Sequence, residues 1–292
     1  MATWGVHSTP WHDAAMPTVT KLHRPPRHPQ AWWPCLLASQ ALVAWTWWRF
    51  GTRIGLPLML ASHALFWWGV LWPRSRLFGP ALARLPTREK LVWLTIDDGP
   101  SADTRAILDL LDARSAKATF FLVGERAQRH PVEVREIARR GHGIGNHSAS
   151  HPASRFWRLG PKRMRAEIER TQAILRALTG ITPRWFRAVA GMANPFVSAP
   201  LREHGLARVA WCARGFDAVI ADPAKAVARI ERGLRPGAVV LLHEGAIHGR
   251  NLETLSALLD RLDALGYRCV LPEALESPGV AALSASPRSA SC

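Results

Sequence analysis

Two stretches without a formally charged residue, 31–48 and 54–72, dominate the first quarter of the chain, and a longer region of alternating short apolar and amphipathic runs follows from Leu91. Each stretch is near the ~20 residues a helix needs to cross the hydrocarbon of a bilayer. Only Arg49 to Arg53 separate them, so the pattern predicts a transmembrane helical hairpin over 31–73 with both ends on one side. Tryptophans near the ends, among them Trp32, Trp48, Trp67 and Trp72, suit the headgroup level where amphipathic rings settle. The alternative is a buried helical pair of a water-soluble protein, which Pro34, Gln40, Pro57 and His63 would favour.

From residue 91 the period changes. Apolar runs at 91–96, 118–123, around Ile144, 185–186, 206–211, 238–242 and 267–270 read as strands. The segments between them carry one-sided apolar stripes, such as Met164, Ile168, Ile174, Leu175 and Leu178 in a long helix over 161–178. Strands alternating with helices predict a parallel sheet. About seven such units in about 200 residues favour a distorted (β/α) barrel, an α/β fold, over an open sheet. The chain then divides into a loose N-terminal tail (1–30), the hairpin (31–73), a linker (74–89), the barrel domain (90–275) and a loose C-terminal tail (276–292).

Composition adds location. With 48% hydrophobic and 21% charged residues in 292, the chain is neither disordered nor a disulfide-stapled miniprotein. Ten of its fourteen Trp precede residue 74, where Asp13 is the only acid. The net charge of +16 comes without a helix-turn-helix, a finger or an aromatic-and-basic RNA motif. No nucleic acid is therefore expected, and attraction to anionic membrane lipid is the simpler reading. Lys21, Arg24, Arg27, Arg74, Arg76, Arg84, Arg88 and Lys90 flank the hairpin, against Arg49 and Arg53 in its connector. That imbalance predicts a bacterial-type inner membrane location with the barrel on the cytoplasmic side. The four cysteines show neither a disulfide framework nor metal-type spacing.

Parallel barrels place their chemistry at the carboxyl ends of the strands, where polar residues gather here. The first strand ends in Thr95-Ile96-Asp97-Asp98-Gly99-Pro100, and adjacent carboxylates repel unless a positive group holds them. His147-Ser148-Ala149-Ser150-His151 follows the third strand. A turn of helix there would put both imidazoles on one face, able to grip a divalent metal. Two His and one carboxylate leave coordination positions open, as a catalytic site requires. Singly, Asp-Asp-Gly reads as a solvated turn and the His pair as incidental; together at strand ends they point to a site.

These residues fall in order. Thr95 to Gly99, Gly145 to His151, Phe186 to Gly191, Trp211 to Asp217 in part, and Leu241 to Glu244 trace five successive motifs. With Ala118 to Gly124, they make residues 90–275 resemble the polysaccharide deacetylase family, also called the NodB-homology domain or carbohydrate esterase family four. The resemblance implies that Asp98, His147 and His151 hold a divalent metal ion, Zn2+ foremost, with Co2+, Mn2+ or Ni2+ also admitted by such ligands. It implies Asp97 as general base, Arg187 as its partner and His243 as general acid, with Asp217 as the candidate that orients His243. It further implies a metal-dependent hydrolase removing an N-acyl group, acetyl first, from an amino sugar in a cell-envelope glycan or a lipid-linked glycan precursor. Deformylation of a lipid-linked amino sugar, and a catalytically idle glycan-binding membrane module, are the alternatives.

Departures from the family pattern mark where substrate range is in question. Ala188, Val189 and Ala190 are small where prolines or an aromatic are usual, Ala218 stands where Trp often follows the Asp, and Glu244 replaces an Asp expected at the rim. Asn194 reads as a helix cap, His248 as a solvated loop histidine, and the charges from Lys162 to Arg170 as exposed helix surface.

Overall fold

A computed structural model describes residues 22–275. The tail expected over 276–292, and residues 1–21 of the one expected over 1–30, lie outside the described residues. Two helices come first, α1 (Trp32–Phe50) and α2 (Thr52–Leu71), reversing at Gly51, whose φ of 73° suits glycine. They form the expected hairpin, but only α2 is both long and apolar enough to cross a membrane, with mean hydropathy 1.5. The expectation of two spanning helices is corrected to one that meets this measure. In α1, five Trp are joined by Ser39, Gln40 and Thr46, and indole belongs at an interface more than in hydrocarbon.

The remainder alternates as β1 (Ala81–Leu82), β2 (Leu91–Gly99), α3 (Thr104–Ala113), β3 (Ala118–Leu122), α4 (Gly124–Arg129), α5 (Pro131–Arg139), β4 (Gly143–Asn146), α6 (Pro161–Thr179), β5 (Trp185–Phe186), α7 (Ser198–Glu203), β6 (Ala207–Val209), β7 (Ala213–Arg214), α8 (Pro223–Glu231), β8 (Ala238–His243), α9 (Asn251–Ala264) and β9 (Arg268–Cys269). The strands run parallel in the order β1-β6-β5-β4-β3-β2-β8-β7, with β9 also on β2. Nine strands replace the seven expected, and among the described residues β1 and β7 do not pair, so the sheet is a curled half-barrel rather than a closed one. The two extra strands, β1 and β7, are each two residues long and leave no period to read. β1 lies within 74–89, which therefore joins the sheet instead of merely linking, and Leu85 beside it is buried.

Period two sorts the side chains. Val92, Leu94 and Ile96 of β2 pack outward with Ala238, Val240 and Leu242 of β8 under the helices. Trp93 of β2 faces inward with Val239 and Leu241 of β8, Phe121, Trp185 and Val209. Continuing that alternation to the carboxyl ends brings Asp97 and His243 inward, and the two are register partners across β2 and β8. The segment before α1 is not loose where it is described: Leu22 is buried in the inner cluster, and His23 meets the Trp185 ring edge-on at 5.4 Å.

The hairpin rests on the carboxyl-end side of the sheet. Ala193 N–H donates to the Val70 carbonyl (3.1 Å), and the Trp67 and Trp157 rings lie 5.4 Å apart. Gly191 is a necessary residue here, since its φ is +73° and a Cβ would come within 2.6 Å of Pro73.

Candidate active site

Asp97 and Asp98 are neighbours in a strand, so regular geometry would aim them to opposite faces. The β2–β3 register shifts between Asp97 and Gly99, and Asp98 adopts φ 72°. Such an irregularity re-aims a side chain, and both carboxylates reach His147 Nε2, Asp98 Oδ1 at 3.3 Å and Asp97 Oδ2 at 3.8 Å. Arg126 donates to the Asp98 carbonyl oxygen, holding the irregular backbone.

Asp98 Oδ1 lies 3.3 Å from His147 Nε2 and 3.0 Å from His151 Nε2. The three ligand atoms are within 4.8 Å of one another. His147 Nδ1 lies 2.8 Å from the Arg187 carbonyl oxygen; an Nδ1–H donated there leaves the Nε2 lone pair toward Asp98, the second contact a metal-binding histidine needs. Two imidazoles and a carboxylate with an oriented tautomer fit a divalent ion. Burial alone would raise the Asp98 carboxyl, but hydrogen bonds and charge from His147 and His151 hold it well below the usual carboxylate range. Burial likewise opposes charge on His147, and Asp97 and Asp98 outweigh it, raising that imidazole.

No helical turn joins the two histidines, contrary to the expectation from their spacing. His147 to His151 is a loop in which Ser148 and His151 take φ of 67° and 50°. It is held by Glu167 of α6, whose Oε2 accepts from the N–H groups of Ala149 (2.9 Å) and Ser150 (2.8 Å) while Oε1 accepts from the Ser150 hydroxyl (2.6 Å). Asn146 Oδ1 accepts from Ser148 N–H (3.0 Å). Glu167 is buried, which corrects the reading of 162–170 as exposed surface. Its signal was an acidic residue on the same helical face as Met164 and Ile168.

Asp97 is buried, and its two oxygens divide their contacts. Oδ1 accepts from Arg187 Nη1 at 2.7 Å, while Oδ2 lies 3.8 Å from His147 Nε2. Arg187 Nη1 also donates to the Thr95 hydroxyl (2.7 Å), and its guanidinium lies 4.2 Å from the Phe121 ring centroid. Desolvation lowers the Arg187 pKa, opposed by the charge of Asp97. Across the mouth, Asp217 Oδ1 lies 3.1 Å from His243 Nδ1 and Oδ2 accepts from His243 N–H (2.7 Å). Burial disfavours charge on His243, yet Asp217, with Asp97 and Asp98 farther off, raises its pKa overall. Nε2 is left for chemistry. The structure thus gathers all seven sequence-predicted site residues at one end of the sheet.

Three further residues differ from expectation. Glu244 is buried rather than at the rim; Oε2 accepts from the Ser101 and Thr104 hydroxyls, Oε1 has no hydrogen-bond partner, and burial pushes the carboxyl up to about 7. His248 is half-buried, with Nε2 2.7 Å from the Asp217 carbonyl oxygen. Phe216, which sequence reasoning passed over, is 44% exposed with the Arg214 guanidinium 3.8 Å from its centroid, and Trp211 lies under the same guanidinium. Asn194 caps as expected, its Oδ1 accepting from Phe196 N–H at 3.0 Å.

A family model described as polysaccharide deacetylase matches residues 84–209. A peptidoglycan-N-acetylglucosamine deacetylase of Bacillus cereus is 30% identical over 190 residues, 64% of this chain and 88% of that protein. A chitooligosaccharide deacetylase of Bradyrhizobium is 34% identical over 156 residues, 53% of this chain and 70% of its own. A crystal structure of a peptidoglycan N-acetylglucosamine deacetylase bound to a hydroxamate superposes with TM-score 0.62 at 32% identity, covering 66% of this chain and 91% of that one. On a curled parallel sheet whose strand ends bring the motif residues together, these likenesses have one meaning: the chain belongs to the polysaccharide deacetylase family and is a carbohydrate N-deacetylase.

Proposed function

We propose that the chain is a metal-dependent hydrolase that removes an N-acetyl group from an amino sugar of a cell-envelope glycan or of its lipid-linked precursor. One observation carries this reading: Asp97 has one oxygen tied to Arg187 and the other 3.8 Å from His147, which with His151 surrounds Asp98, and His243 is beside it in register. A binding module has no use for a base, an acid and an open ligand set together.

Asp98, His147 and His151 would hold the ion, and when bound it supplies Lewis acidity for the acyl carbonyl and the attacking water. Asp97 accepts the proton of that water through Oδ2, since Oδ1 is occupied by Arg187. Arg187 pairs with the carboxylate at 2.7 Å and fixes its orientation. His243 enters protonated, favoured by Asp217, and gives its Nε2 proton to the departing amine. Phe216 offers an exposed ring at the mouth against which a sugar face can lie, a role that Ala218 cannot fill.

The membrane reading belongs to the same proposal. Only 17% of the apolar stretch in α2 is buried, so the protein's own core does not cover it. Leu22 and Val70 are both buried on the barrel, which holds both ends of the hairpin against the catalytic domain. The flanking cations favour the cytoplasmic face of a bacterial-type inner membrane, where a lipid-linked sugar would meet the mouth beside the hairpin.

The test is the full chain, stripped and reloaded with Zn2+, Co2+, Mn2+ or Ni2+, assayed on N-acetylglucosamine oligomers and lipid-linked amino sugars. Acetate release that follows metal content supports the reading, and formate release from an N-formyl sugar would turn it to deformylation. Metal bound without release of either would leave only binding. Reporter fusions at the carboxyl terminus decide the side of the membrane.

A further inference from the structure

Trp211 carries two guanidiniums, those of Arg187 and Arg214, at 5.7 Å and 5.2 Å from its ring centroid. Arg187 spends its donors on Asp97 and Thr95. Arg214 spends none: its guanidinium makes no hydrogen bond or ion pair among the described residues, and its Nε is buried without a partner. In this it stands apart. The other arginines that are buried or half-buried among the described residues, Arg126, Arg140, Arg165, Arg187, Arg208 and Arg261, each donate to a carboxylate or a carbonyl.

The sheet fixes where this unused group sits. β7 sets Arg214 opposite Leu241 and Ala213 opposite Val240 of β8, so Arg214 shares the inward side with Leu241, two residues before His243. Its guanidinium lies 3.8 Å over the Phe216 ring, which is itself exposed. Burial lowers its pKa, opposed by the charges of Asp217 and Asp97, neither of which comes within ion-pair distance. A half-buried cation without a hydrogen bond is costly, and two aromatic rings orient its fork of donors without satisfying them. A sugar hydroxyl would leave the charge unmet; an oxyanion meets charge and fork together.

We propose that Arg214 is a specificity residue that receives an anionic substituent of the glycan, a carboxylate or a phosphate, while a neighbouring acetamido group is hydrolysed. The inference rests on the deacetylase reading of Asp97, the ligand set and His243 given above. It makes charged glycans the preferred substrate class.

The experiment uses the full chain in detergent. With Zn2+ loaded, kcat/KM for acetate release is measured on neutral N-acetylchitotetraose, on a tetrasaccharide alternating N-acetylglucosamine with glucuronic acid, and on citronellyl diphospho-N-acetylglucosamine. Kd for the same three is measured on the metal-stripped chain by calorimetry. At least one charged substrate should exceed the neutral one by about thirtyfold in both measures, the better of the two naming the group, and Arg214→Gln should bring that ratio to near one. Arg214→Met, which keeps the stem against the rings, replaces it if Arg214→Gln loses its thermal transition. Arg229→Gln removes an equal but exposed charge 5.6 Å from the same Phe216 ring, and should leave the ratio within about twofold of wild type. Acetate from none of the three overturns the catalytic reading, and the Kd series then decides on Arg214 by itself. No preference for either charged glycan in wild type, a preference that survives Arg214→Gln, or an equal loss in Arg229→Gln overturns the proposal.

Discussion

Arg187 is wholly buried while Trp48 is 81% exposed, an inversion of the usual order of side chains, and it separates two regions of this molecule. At the mouth, charge is withdrawn from water and met by fixed partners: Arg187 by Asp97 and Thr95, His243 by Asp217, the loop 147–151 by Glu167. On the hairpin, Leu37, Leu60 and Trp48 are exposed. The difference teaches where each region gets its order. Preorganised dipoles at the mouth replace water and make each removal costly, whereas outward apolar groups do nothing for the fold until a second phase covers them.

The widest test of that contrast is Asp97→Asn, expected to cut kcat about a thousandfold on a glycan oligomer, with metal content by elemental analysis unchanged. Next comes Glu244→Gln. The Glu244 carboxyl rises from 4.5 to about 7 in the fold, so the stability it favours is present below pH 4.5 and is lost as pH rises through about 7. The neutral variant should therefore gain on wild type between pH 5 and pH 8, by about 3 kcal/mol at the upper end, as denaturant melts at both pH values would register. Glu167→Ala frees the ligand loop and should weaken metal affinity by about 10- to 100-fold, read by competition with a chelating dye.

Smaller still is the effect of Asp217→Asn on the alkaline limb of the kcat profile. His243 must be protonated to act and its pKa is raised chiefly against burial by Asp217. Without that charge the limb should move to lower pH; an unmoved limb would remove His243 as the acid. At the bottom of the scale, Trp48→Ser should change barrel unfolding in detergent by less than about 0.5 kcal/mol. A large loss there would mean that the two regions are not distinct.

The sequence carried the mouth better than its frame. Asp97, Asp98, His147, His151, Arg187 and His243 were legible because their types and strand-end positions agree. What joins them was not: the positive φ of Ser148 and His151, and the reach of Glu167 back to Ala149 eighteen residues before it, arise from tertiary packing that local pattern does not encode. β1 and β7 are too short to show a period. In α1 an absence of charge does not amount to hydrocarbon character, because indole groups prefer the boundary between phases.

One feature of the N-terminal segment reaches further than its size. Leu22 is seated in the inner cluster beneath the sheet, and Val70 is pinned to Ala193 beside the mouth, so the hairpin is moored at two points instead of trailing on a leash. Its inclination and that of the catalytic opening are one variable. On the membrane reading proposed above, a sugar would arrive at a set height over the bilayer, and residues too near or too far along a glycan would stand outside a fixed reach.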